Sequence, residues 1–135
     1  MEIGPYQGGT ALLAKMITDE VYSIDPKEQR DPDFNDGLGI NFIVGTSEEV
    51  AKDWIKPIGV LFIDGNHEEA GIDFLLWERF VVKEGYVLIH DYTGQNKVVQ
   101  DCNYLMRFRD DYNVLYVPKL PTDKTSILQL QKTDG

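Results

Sequence analysis

Glu2-Ile3-Gly4-Pro5-Tyr6-Gln7-Gly8-Gly9-Thr10 opens the chain, and the fold is read outward from it. A short strand ending in Gly4 and turning through Gly8-Gly9 into a helix at Thr10 gathers backbone amides and a helix N-terminus at one spot. In an open α/β sheet that spot lies over the strand ends, where ligands bind.

Downstream, Glu20–Asp25, Ile40–Val44, Gly59–Asp64 and Gly85–His90 are short apolar, β-branched or aromatic runs ending in polar residues, the pattern of buried strands. Helical spacing runs through Thr10–Ile17, Ser47–Trp54, Glu68–Val82 and Asn96–Phe108. The alternation predicts right-handed βαβ crossovers and a Rossmann-like, doubly wound, mostly parallel sheet. Tyr112–Val117 and Thr125–Gln131 are too close in sequence for a helical crossover, so a C-terminal antiparallel strand pair is expected. Asp31–Gly39, dense in turn formers and acids, reads as a surface loop. Phe74, Leu75, Leu76, Trp77, Phe80 and Val81 read as the sheet-facing side of a helix.

The 135 residues, 42% of them hydrophobic, suffice for one domain with a core. Thirteen basic against 23 acidic side chains leave a net charge of -10, which repels a polyphosphate and argues against nucleic acid and anionic membranes as partners. No apolar run nears the roughly 20 residues that span a bilayer, and no secretory signal opens the chain; a cytoplasmic location is expected. A single cysteine, Cys102, excludes an internal disulfide and reads as a packed helix residue.

Asp25 closes a strand about 20 residues after the glycine turn, where Rossmann-type folds place the carboxylate that accepts from ribose hydroxyls. A dinucleotide site needs Gly-x-Gly-x-x-Gly, and Tyr6 stands at its second glycine. A side chain there blocks the approach of backbone to a pyrophosphate, so a nucleoside ligand other than NAD is favoured.

With these residues in place, the chain resembles the small-molecule O-methyltransferases of the class I S-adenosylmethionine-dependent superfamily, in its catechol and macrolide-sugar branches. The likeness covers most of the chain. The family pattern Glu-x-Gly-x-Tyr-x-Gly-x-Thr/Ser is met by Glu2, Gly4, Tyr6, Gly8 and Thr10, and implies that they hold the methionine part of S-adenosylmethionine. Asp25 matches the ribose-binding acid. Val44-Gly45-Thr46-Ser47-Glu48-Glu49 resembles the segment against the adenine, which implies cofactor contacts at Gly45, Thr46 and Ser47. Ser47 would also cap the next helix, and a purely structural cap and turn is the alternative for this segment. Phe62-Ile63-Asp64-Gly65-Asn66-His67 and Leu88-Ile89-His90-Asp91-Tyr92 resemble two signatures of the macrolide branch in the right order. Asn66 replaces a usual aspartate, and Tyr92 stands where the catechol branch has an asparagine metal ligand.

Asp64 and Asp91 end what read as adjacent strands, and two converging carboxylates suit a hard divalent ion, Mg2+ by default. The resemblance makes Asp64 a cofactor contact and a catalytic residue as well. His67 resembles the general base of the catechol branch; a surface histidine or a further metal ligand are its alternatives. Strand alternation points His90 to the face opposite Asp91, as a packed or supporting histidine or a catalytic one.

The expected activity is methyl transfer from S-adenosylmethionine to a hydroxyl of a small metabolite or glycoside, with metal assistance. The alternative is a catalytically silent cofactor-binding or scaffolding module of the same fold. The chain starts almost inside its first strand, so it is expected to be a single domain, residues 1–135, lacking the N-terminal helices that cover the substrate in relatives. The resemblance implies that a partner subunit could replace them, and a homo-oligomer is a separate expectation.

Overall fold

The computed structural model describes residues 1–4, 14–15, 18–27, 39–92, 97–118 and 126–134, with the backbone alone at His67. Chain order is β1 (Glu2–Ile3), β2 (Tyr22–Asp25), β3 (Asn41–Val44), α1 (Ser47–Asp53), β4 (Ile58–Ile63), α2 (Ala70–Trp77), β5 (Val81–Ile89), α3 (Lys97–Met106), β6 (Tyr112–Tyr116) and β7 (Leu128–Lys132). Single 3-10 turns at His67–Glu69 and Glu78–Phe80 flank α2.

The strands form one seven-stranded sheet in the order β3-β2-β1-β4-β5-β7-β6. The first five are mutually parallel; β7 runs antiparallel to both β5 and β6. The doubly wound, mostly parallel sheet and its antiparallel terminal pair are thus as the periodicity predicts. Of the predicted helix Thr10–Ile17, only Ala14 and Lys15 are described, both helical, with the Thr18 amide donating to the Ala14 carbonyl at 3.0 Å. The predicted Asp31–Gly39 loop lies outside the described residues except for Gly39.

The largest departure from the sequence reading lies where α2 gives way to β5. The helix expected over Glu68–Val82 is α only over Ala70–Trp77, and β5 begins at Val81 instead of Gly85. The β4–β5 ladder pairs Ile58 with Val81 and then Val60 with Tyr86, so residues 82–85 bulge out between the two pairings. At the bulge Glu84 has φ +63, and a Cβ on Gly85 would come within 2.8 Å of the Val82 carbonyl oxygen; glycine is needed there to let the strand resume. β-branched Val81 and Val82 favour extended backbone over another helical turn.

One face of the sheet buries Leu61, Ile63, Val87, Ile89 and Leu130 together with Phe74 and Trp77 from α2 and Val98 and Cys102 from α3. Not all of the apolar run on α2 turns inward, however: Leu75 is 53% exposed. Trp77 stacks edge-on between Trp54 and Phe80, with centroids 5.6 and 5.8 Å away. Arg109 locks the far end of the sheet: its guanidinium donates to both Glu78 carboxylate oxygens (3.0 and 2.8 Å) and to Asp111 (2.7 Å). Lys132 donates to the Glu78 and Val81 carbonyls at 2.9 and 3.1 Å. Among the described residues, no helix is long and apolar enough to cross a membrane.

Candidate active site

The strand order places β1 at the switch point, with β2 and β3 on one side and β4 and β5 on the other. Backbone ladders run past the strands there. The amide of Gly4 donates to the Ile24 carbonyl, Gly45 to Asp25, Asp64 to Ile3 and His90 to Ile63, all at 2.8–2.9 Å. Each strand-end loop is thereby tied to its neighbour, and the residues just past the strands are held at one level.

Gly4 turns the chain with φ +81, and a Cβ on it would lie 2.5 Å from Gly65 Cα and 2.6 Å from the Asp64 carbonyl oxygen. Two backbones therefore meet where only glycine fits. Around this contact lies a cavity of about 400 Å³ whose wall includes Gly4, Asp25, Thr46, Ser47 and Asp64. Of the residues expected at a cofactor, these five are brought together. Glu2 and Gly45 are not in the cavity wall; Glu2 is buried inside the sheet and accepts a 3.0 Å hydrogen bond from Ser23. Tyr6, Gly8 and Thr10 lie outside the described residues.

Asp25 uses one carboxylate oxygen to accept from the Lys27 amide at 2.8 Å, an Asx turn that fixes the side chain at the cavity edge. The N-cap of α1 is Thr46, not Ser47 as expected. Thr46 Oγ1 accepts from the Glu49 amide at 3.2 Å, and the Glu49 carboxylate accepts from the Thr46 amide at 3.1 Å, a reciprocal capping box. Ser47 is thereby the first helical residue, and its hydroxyl turns inward to accept the Trp77 indole N–H at 2.7 Å.

Asp73, one turn before Trp77 on α2, also lines the cavity, and it is 3% exposed. Burial drives its carboxyl up to about 6, opposed by a hydrogen bond from Ser47 and reinforced by the charge of Glu69. No sequence motif marks Asp73; its only signal is an acid inside an otherwise apolar helical run, Ile72-Asp73-Phe74-Leu75-Leu76-Trp77.

Asp64 and Asp91 do end neighbouring strands, and a histidine joins them. His90 Nδ1 lies 2.9 Å from Asp64 Oδ1 and 3.2 Å from Asp91 Oδ2, and donor atoms of all three residues fall within 4.8 Å of one another. At these separations Nδ1 is buried and neither carboxylate is aligned with it as a hydrogen bond. The expectation that His90 and Asp91 face opposite ways is corrected here. Alternation holds only for extended backbone, whereas β5 stops at Ile89 and Asp91 takes φ +56, a left-handed conformation that aspartate tolerates. The turn swings both side chains towards Asp64. His67 begins the 3-10 turn after Asp64, which Asn66 caps by accepting from the Glu68 amide at 3.1 Å; the His67 side chain is outside the description.

Cys102 is buried in α3, and burial with the nearby Asp101 charge pushes its thiol up to about 12. It is a packing residue without thiolate character.

Three solved structures share this architecture. A Podospora anserina methyltransferase bound to SAH (S-adenosylhomocysteine) superposes with a TM-score of 0.78 at 16% identity, covering 98% of this chain and 70% of that one. A Bacillus cereus O-methyltransferase, also in complex with SAH, gives 0.77 at 11% identity over 98% and 72%. A Streptococcus thermophilus rRNA methylase gives 0.75 at 14% identity over 98% and 86%. At such identities the likeness establishes the fold. The family follows from the sequence itself: residues 1–92, which contain both the switch-point cavity and the Asp64/His90/Asp91 cluster, match the model described as a methyltransferase domain, and the chain belongs to that family.

Proposed function

We propose that this protein is an S-adenosylmethionine-dependent O-methyltransferase acting on a hydroxyl of a small molecule with the help of a divalent cation. The observation that carries this reading is the double position of Asp64. It stands in the wall of the nucleoside-sized cavity and is also one corner of the Asp64/His90/Asp91 cluster. A methyl donor and a cation-held acceptor oxygen would therefore meet at one residue.

The residues present fit both groups. Asp25 at the end of β2 suits ribose hydroxyls, Thr46 and Ser47 suit the base, and Gly4 lets the β1 end close on the β4–α2 turn that carries Asp64. In the cluster, separations of 2.9 and 3.2 Å compare with about 3 Å between adjacent ligands of an octahedral ion bound at roughly 2.1 Å. The buried Nδ1 of His90, with no aligned hydrogen bond, is a nitrogen donor that a cation would satisfy. Two carboxylates plus an imidazole suit Mn2+ or Fe2+ as well as Mg2+.

When bound, the sulfonium donor supplies an electrophilic methyl, and the cation lowers the pKa of the acceptor hydroxyl. The chain's own share is positioning and proton handling. Asp64, His90 and Asp91 would hold the cation, and His67, by the resemblance to the catechol branch, would receive the acceptor's proton. The net charge of -10 repels a polyphosphate acceptor, which supports a small molecule over RNA.

Isothermal titration with S-adenosylhomocysteine, with and without Mn2+ or Mg2+, tests the reading. Binding in the micromolar range is expected, and absence of binding would sink it. Binding without methyl transfer across a panel of phenols and sugars would instead favour a catalytically silent module.

A further inference from the structure

The cavity has a buried acid that neither the methionine, the ribose nor the cation accounts for. Asp73 lies at its floor between the β3–α1 junction, through Ser47, and the β4–α2 turn, where a Cβ on Gly65 would sit 3.7 Å from Asp73 Oδ2. Glu2, the other buried acid beside the switch point, is taken by Ser23. Asp25 marks the sugar and Asp64 the reacting end, so the space between Ser47 and Gly65 is left for the base.

The hydrogen-bond polarity at this floor is fixed by Trp77. An indole N–H can only donate, and it donates to Ser47 Oγ at 2.7 Å. The Ser47 hydroxyl hydrogen is then free to turn towards Asp73, where it favours the ionised carboxylate. An ionised carboxylate has about four acceptor sites and no donor, so Asp73 offers only acceptors to the cavity that it lines. A ligand atom facing it must bring a hydrogen.

We propose that Asp73 is a specificity-determining residue that accepts the exocyclic amine of the cofactor's adenine and rejects a 6-oxopurine in its place. The inference rests on the cofactor reading given above. A 6-oxo group would turn an acceptor towards a buried acceptor, and sites built to pair a polar group discriminate strongly against its mismatch.

The test is calorimetric comparison of S-adenosylhomocysteine with S-inosylhomocysteine, which differ at the base alone. The wild-type protein is expected to prefer the adenosyl compound by at least tenfold. Asp73→Asn, which nearly preserves shape and can donate to a 6-oxo group, is expected to bring the ratio within threefold. Glu69→Gln, which alters the other acid near the floor, is expected to keep the wild-type ratio. Equal wild-type affinities would overturn the inference while leaving the cofactor reading intact, and they need no variant. A full preference surviving in Asp73→Asn, or lost in Glu69→Gln, would also overturn it. Failure to bind either compound would overturn both readings together.

Discussion

The Ser47 hydroxyl accepts the Trp77 indole N–H at 2.7 Å, joining the first residue of α1 to the last residue of α2 beneath the cavity. Ser47→Ala would leave a fully buried indole N–H without its acceptor, at a cost of about 1–3 kcal/mol. Thr46→Ala removes the capping box and should cost about 1 kcal/mol. Urea denaturation should show a lower midpoint for both. The Ser47→Ala loss should shrink in a Trp77→Phe background, where there is no donor to strand; an unchanged loss would refute the pairing.

Asp73 makes stability depend on pH in a definite direction. Burial raises its carboxyl from 3.8 to about 6, so the folded state holds this proton more tightly than the unfolded chain. Its contribution is therefore fully present below about pH 4 and is lost as pH rises through 6. Asp73→Asn should gain on the wild type by about 2 kcal/mol between pH 4 and pH 8. Melting curves at the two pH values give the difference directly, and a gain in the opposite direction would contradict the assignment.

Gly4 has φ +81 and no room for a Cβ against Gly65 and the Asp64 carbonyl. Gly4→Ala carries a left-handed penalty of about 1 kcal/mol plus the displacement of the β4–α2 turn. Cofactor binding should fall along with stability, because the same turn carries Asp64. A Gly4→Ala protein with unchanged melting temperature and unchanged ligand affinity would show that the two backbones do not meet as described.

Arg109 bridges Glu78 and Asp111 through paired hydrogen bonds, and the two partners hold its charge on while it holds the Asp111 carboxyl below its usual range. All three side chains keep some solvent contact, so screening lowers the loss expected for a buried pair. Arg109→Leu should cost about 2 kcal/mol. Arg109→Lys should recover less than half of it, since an ammonium cannot form the bidentate fork. Denaturant midpoints of the three proteins decide the matter.

Asp25 and Asp64 should separate binding from turnover. Asp25→Ala is expected to weaken S-adenosylhomocysteine binding about tenfold, the worth of one or two hydrogen bonds to hydroxyls. Asp64→Ala is expected to depress kcat by two orders of magnitude or more and to abolish stimulation by Mn2+ or Mg2+. Equal cofactor affinity in Asp25→Ala and wild type would remove the ribose assignment.

Much of the fold was legible along the chain because buried parallel strands are written as short β-branched runs between helical periods. Glu20–Asp25, Ile40–Val44 and Gly59–Asp64 needed no tertiary information to be recognised as the strands β2, β3 and β4. The bulge at residues 82–85 was not legible, since it depends on how β5 meets β4 and not on β5's own pattern. Along the sequence Ser47 is as good a helix cap as Thr46, because serine and threonine are near-equal caps; Glu49, three residues after Thr46, is the capping-box signal that favours Thr46.

By itself, then, the sequence determined the doubly wound sheet, the carboxylates at the ends of β2 and β4, and membership of the methyltransferase-domain family, because each is carried by local spacing. Only the tertiary structure decided that His90 joins Asp64 and Asp91 and that Asp73 lies beneath the cavity. The first follows from a left-handed residue at Asp91 that cancels strand alternation. The second follows from the packing of α2 against α1, which hydrogen-bonds Trp77 to Ser47 across 30 residues of sequence and sets Asp73 in the same cavity wall as Ser47.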